Sequence, residues 1–189
     1  MYLSTILLSL TTLALSTPTI HDAHLAARQE IPYGAYGTPA YTPSPRPTPY
    51  RVGHAIVQNH CPFPVYIWSV SSTVQPMRTI NPNDVYNERF HADTDTGGIA
   101  IKISTESDGL YTSAPQMIFA YNLSYDRVGD RSQEKVWYDL NDVFGDPFEG
   151  YPVSLTPSEP AISWEDGVQP AGSQIRVVDS STDLVLSLC

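Results

Sequence analysis

Cys61 and Cys189 are the only two cysteines in this chain, and Cys189 is its final residue. Residues 1–16 carry no charged side chain. Their apolar core, Leu3 to Leu10 followed by Leu13-Ala14-Leu15, is too short and too interrupted to span a bilayer. The segment reads as a signal peptide, with a retained anchor as the alternative. An exported chain meets an oxidising compartment, where two lone cysteines are expected to pair. A Cys61–Cys189 bridge would tie the start of the folded region to its end. It would close a loop of roughly 130 residues, for which chain-entropy reasoning gives about 5 kcal/mol of stabilisation.

Composition then divides the chain. Residues 17–50 are expected to hold a pro-segment, with Leu25-Ala26-Ala27-Arg28 as a processing site, and a disordered Pro-rich tether. From Ile31 to Pro49, Pro32, Pro39, Pro43, Pro45, Pro47 and Pro49 alternate with Tyr, Gly, Ser and Thr. Proline removes backbone donors and favours extended polyproline II, so this stretch cannot build a sheet. Its Thr/Ser/Pro mixture around Thr42 to Thr48 also suits O-glycosylation. Residues 51–189 are the expected folded domain.

In that region apolar segments recur with the length and composition of strands: Val52–Gln58, Val65–Val70, Gly98–Ser104, Gln116–Asn122, Lys135–Leu140, Gln174–Val178 and Leu184–Leu188. Ile99, Ile101 and Ile103 alternate with Ala100, Lys102 and Ser104, the period of a half-buried strand. Turn formers separate the segments, among them Asn81-Pro82-Asn83-Asp84, Thr96-Gly97-Gly98, Ser107-Asp108-Gly109 and Trp164-Glu165-Asp166-Gly167. No segment carries a sustained helical stripe. Many short strands with regular turns predict an all-β sandwich or barrel. Tyr66 and Trp68 fall on one face of their segment and Val65 and Ile67 on the other, which predicts a buried central strand.

The run Asn59-His60-Cys61-Pro62-Phe63-Pro64-Val65-Tyr66-Ile67-Trp68-Ser69 has the Asn-x-Cys and apolar-aromatic strand that open thaumatin-like domains. With Ile99-Ala100-Ile101-Lys102-Ile103, Gln116 to Tyr121, Trp137-Tyr138-Asp139-Leu140, Gly145-Asp146-Pro147-Phe148 and the ending Asp183 to Cys189, the domain resembles the Blastomyces yeast-phase-specific protein family. The resemblance runs from about Val52 to Cys189 and implies a secreted fungal protein with a thaumatin-like β-sandwich. Thaumatin-like proteins also join their first and last cysteines. Family members commonly carry further cysteines in the stretch corresponding to Pro160–Val178, and this chain has none there.

Candidate chemistry is sparse. Asp95-Thr96-Gly97 matches the aspartic-protease tripeptide, but one copy cannot make the proton-sharing pair and it reads as a polar turn. Asp93, Asp95 and Gly97 have calcium-loop spacing, yet Ser104 stands where the twelfth-position glutamate belongs. A calcium site built on Asp93 and Asp95 remains as a different, weaker arrangement. Thaumatin-like domains that act on glucans use a carboxylate-lined cleft, and the resemblance suggests Glu88, Asp93, Asp95 and Asp108 for it. Paired carboxylates are what glycoside hydrolysis requires; dispersed solubilising charge is the competing reading. The five histidines show no metal-ligand spacing, and no cofactor loop is present. Asn122-Leu123-Ser124 is an N-glycosylation sequon, while Asn59-His60-Cys61 is a rare variant that would compete with the bridge. Tyr66, Trp68, Tyr86, Trp137, Tyr138 and Trp164 are either core residues or faces for stacking sugars.

The net charge of −10 repels phosphate backbones and anionic bilayers, so nucleic acid and membrane surfaces are not the expected partners. The expectation is a monomeric, secreted, cofactor-free binding protein of the cell surface or host-facing medium. Its partner would be cell-wall polysaccharide or an extracellular protein. A glucan-acting hydrolase and a structural wall component are the alternatives.

Overall fold

The computed structural model describes residues 51–124 and 134–189; the expected signal peptide, pro-segment and tether lie outside these. Among the described residues there is no helix, and eleven strands form two sheets. The strands are β1 (His54–Asn59), β2 (Val65–Val70), β3 (Arg78–Ile80), β4 (Val85–Arg89), β5 (Ile99–Ser104), β6 (Met117–Ser124), β7 (Lys135–Asn141), β8 (Val153–Thr156), β9 (Ile162–Trp164), β10 (Arg176–Asp179) and β11 (Leu184–Leu188). One sheet has the order β4-β1-β11-β8-β9 and the other β10-β7-β6-β5-β2-β3.

Alternation along each strand decides what the sandwich encloses. Ile99, Ile101 and Ile103 of β5 are buried, as are Phe119, Tyr121 and Leu123 of β6 and Val136, Tyr138 and Leu140 of β7. They meet Ala55 and Val57 of β1, Leu184, Leu186 and Leu188 of β11, Val153 and Leu155 of β8, and Ile162 and Trp164 of β9 in one core cluster. β2 lies between β3 and β5, and Val65, Ile67 and Trp68 are all buried, as expected for an interior strand with two apolar faces.

The bridge follows from strand direction. β1 and β11 run parallel, with Asn59 beside Leu188, so both strands leave the sheet at the same end. Cys61 and Cys189 emerge there and form the predicted disulfide, with their Cα atoms 4.8 Å apart. The chain passes from β3 on one sheet to β4 on the other through the four-residue turn Asn81-Pro82-Asn83-Asp84. Asn83 adopts a left-handed φ of 68°, which Asn tolerates. The Asp84 carboxylate accepts a hydrogen bond from the Asn81 side-chain amide at 3.1 Å.

One glycine is obligatory for two reasons. Gly167 has φ +74°, and a Cβ there would lie 1.9 Å from the Phe148 carbonyl oxygen. The loop after β9 can therefore fold against the β7–β8 connection only with glycine at this point.

Candidate functional site

β4 is an edge strand and mostly polar, but its alternation is still informative. Tyr86 and Glu88 are half-buried while Val85, Asn87 and Arg89 are exposed, so Tyr86 and Glu88 point together toward the opposite sheet. The Tyr86 hydroxyl donates to Glu88 Oε2 at 2.6 Å. Tyr121, on the inner face of β6, reaches across from the facing sheet and donates to Glu88 Oε1 at 2.7 Å. The carboxylate is thus clamped between two phenols, one from each sheet.

His91 extends the network. Its Nδ1 lies 3.2 Å from the Arg89 carbonyl oxygen and 3.0 Å from the Tyr121 hydroxyl. A carbonyl only accepts, and the Tyr121 hydrogen is committed to Glu88, so Nδ1 carries the proton and donates. The Tyr121 ring is also packed edge-on against Phe90, with centroids 5.0 Å apart. Burial, followed by the neighbouring Glu88, pushes both tyrosine hydroxyls well above their ordinary ionisation range. Both therefore remain donors at any pH at which the fold operates.

The cluster borders an open pocket of about 600 Å³ between β3 and β4, with Ser69, Gln75, Arg78, Tyr86, Asn87, Glu88 and His91 in its lining. Glu88 is the one carboxylate among the residues that line it. Asp93 and Asp95 sit instead in the turn between β4 and β5. Asp93 Oδ2 accepts from the Ser72 hydroxyl at 2.5 Å and from Ser72 N–H at 3.0 Å, while Oδ1 accepts from Asp95 N–H at 2.8 Å and Thr96 N–H at 3.0 Å. The Ser72 hydroxyl, then these backbone donors, hold the Asp93 carboxyl well below the usual carboxylate range. Asp108 belongs to the turn after β5, where its carbonyl accepts from Tyr111 N–H at 2.8 Å. Of the four suggested acids, only Glu88 lines the pocket. Among the described residues no group of three His, Cys, Asp or Glu gathers as a metal site.

Tyr121, Arg78 and His91 were not assigned to a site by sequence reasoning. The available signal was Tyr86-x-Glu88 on one strand face, together with a tyrosine at an inward position of β6, whose hydroxyl needs a polar partner. Of the six aromatic residues considered for sugar stacking, Trp68, Tyr138 and Trp164 are buried, while Trp137 is 51% exposed on the outer face of its sheet.

Residues 44–189 match the family described as Blastomyces yeast-phase-specific protein. The chain is 34% identical over 123 residues to an antigenic thaumatin-like protein of Arthroderma benhamiae, a match covering 63% of this chain and 57% of the relative. It is 27% identical over 145 residues to the secreted thaumatin-like protein calA of Emericella nidulans, covering 77% of this chain and 66% of that protein. The chain thus spans less than two thirds of the length of either relative. In fold it is similar to the crystal structure of the protein elicitor MoHrip2 from Magnaporthe oryzae, with a TM-score of 0.54 and 23% identity over 72% of this chain and 98% of that one.

Proposed function

Because this chain belongs to the Blastomyces yeast-phase-specific protein family and has its thaumatin-like β-sandwich, we propose that it is an exported protein that binds cell-wall polysaccharide without cleaving it. The observation that carries this reading is the Glu88 clamp. A carboxylate fixed by two protonated phenols is a preorganised acceptor, and its remaining lone pairs face an open polar pocket. Vicinal sugar hydroxyls match such an acceptor, with Arg78, Asn87 and Gln75 beside it as further hydrogen-bonding groups. The Tyr86 side chain adds an aromatic surface in the same lining.

Hydrolysis of a glycosidic bond takes two carboxyl groups about 5–9 Å apart. The pocket lining supplies one, which supports binding over hydrolysis. Export is supported by the disulfide and by the secreted relative.

Glu88→Gln tests the site. It keeps the size of the side chain and one carbonyl acceptor but removes the charge. Retention of the protein on insoluble β-glucan or chitin is expected to weaken about tenfold, equivalent to about 1.4 kcal/mol. Retention equal to that of the parent would place binding elsewhere. A thermal melt of the variant shows that the fold is intact.

A further inference from the structure

The outer face of the six-stranded sheet holds a second concavity, unrelated to Glu88. Side chains that alternate outward from β5, β6 and β7 build it: Ala100 and Ala120 form a low floor, and Trp137 stands as a wall. Its volume is about 520 Å³. Asn122 lies in this trough, directly across the β6–β7 ladder from Trp137. Side chains paired in that way have Cβ atoms about 5 Å apart, within reach of one sugar ring. The Asn122 amide makes no hydrogen bond among the described residues. Gly98 leaves room beside it: a Cβ at 98 would approach the Asn122 Cβ to 3.5 Å and the Tyr121 carbonyl to 2.8 Å.

We propose that Asn122 of the Asn122-Leu123-Ser124 sequon carries an N-linked glycan whose first sugars lie in this trough against the Trp137 ring. The occupant is written into the groove itself. An acceptor asparagine whose amide is unengaged among the described residues projects from the floor, and an exposed indole faces it. Pyranose C–H faces stack on indole, and a large exposed apolar residue gains by being covered. The transfer takes place before folding, on the extended chain. The reducing-end C1 of a polyprenyl-diphosphate-linked oligosaccharide forms a bond to Asn122 Nδ2, and its bond to the diphosphate oxygen breaks. The amide loses one proton, and polyprenyl diphosphate leaves. After folding, β6 alternation turns the glycosylated side chain outward while Leu123 enters the core. The inference rests on the exported route proposed above.

The fluorescence of this protein suits the test. Trp68 and Trp164 are each 2% exposed and Trp137 is 51% exposed, so a collisional quencher reports on Trp137 almost alone. The full chain is expressed in a fungal secretory host, and the mass of the tryptic peptide containing Asn122 is measured before and after enzymatic glycan removal. The expected result is one glycan on Asn122, absent in Asn122→Gln. Acrylamide quenching should also rise about twofold when the glycan is removed, as the covered ring face becomes accessible. Unmodified Asn122 overturns the inference. So does a glycan whose removal leaves quenching unchanged, because it would project into solvent. Protein retained inside the cell but carrying the glycan contradicts only the final export step. Protein retained without the glycan contradicts both.

Discussion

At Asn59 one buried side chain serves three backbone groups. Its amide donates to the Phe63 carbonyl at 3.0 Å and the Ile80 carbonyl at 2.9 Å, and its Oδ1 accepts from Cys61 N–H at 3.0 Å. The residue is 0% exposed. These bonds hold the turn after β1 against the end of β3 and set Cys61 in place for the bridge, so the Asn-x-Cys pattern is a structural device. The same bonds leave the folded Asn59 amide no room for a glycan. Asn59→Ala removes the side-chain partner of two buried and one part-buried backbone group and is expected to cost about 3 kcal/mol, read from the denaturant midpoint. A loss within a few tenths of a kcal/mol would mean that water replaces the amide. Two aspartates pull the pH dependence in opposite directions. Asp142 loses solvent and shares a hydrogen bond with Asp146, which pushes its carboxyl from the ordinary 3.8 up to about 6. Between these values the folded chain holds a proton that the unfolded chain has released. The contribution of Asp142 is therefore complete at low pH and is lost as pH rises through about 6. The carboxyl of Asp93 is held low, so its contribution is present near neutrality and is lost as pH falls below the ordinary carboxylate range. Asp142→Asn should flatten the fall in melting temperature between about pH 4 and 6. An unchanged slope by calorimetry would assign that fall to other groups.

At the scale of elements, the parallel pair β1 and β11 is the hinge of the architecture. Parallel neighbours need a long crossover, and here nearly the whole domain lies between them, with 128 residues separating the bridged cysteines. Replacing both cysteines by alanine releases that closure and should lower stability by about 2–5 kcal/mol in equilibrium denaturation. A loss near zero would show that the reduced unfolded chain already keeps its ends close, so that the bridge removes little closure entropy. Seven of the strands were legible from their apolar composition, six of them because they fill the core and the edge strand β10 through its Val177-Val178 pair: Val65–Val70 and Leu184–Leu188 coincide with β2 and β11, and the other five shift by one or two residues. β3, β4, β8 and β9 were not. β3 and β9 have three residues each, β8 has four, and β4 is a polar edge strand with no fully buried position. That omission hid the pocket, because Glu88 sits on β4 and not on a loop. Its acidity was visible in the sequence, but its partner Tyr121 lies 33 residues away and across the sandwich. Only the packing of the two sheets brings them together. Asp93 and Asp95, by contrast, share a turn whose spacing was plain, but spacing alone did not reveal that the Asp93 oxygens already hold Ser72, Asp95 and Thr96.

On the scale of the whole molecule, a thaumatin-like sandwich closed by one disulfide carries two separate concavities. The polar pocket between β3 and β4 presents Glu88, and the trough on the outer face of the larger sheet presents Asn122 and Trp137. A net charge of −10 is electrostatically unfavourable toward phosphate backbones and anionic bilayers and neutral toward uncharged polymers. Among the described residues no helix is long and apolar enough to cross a membrane. The most direct test incubates the full secreted protein with insoluble β-glucan and with chitin, and measures bound protein and soluble sugar in the same samples. The account predicts reversible retention on at least one of them with no release of soluble sugar above the polymer alone. Soluble sugar appearing in proportion to added protein, or no retention on either polymer, would contradict it.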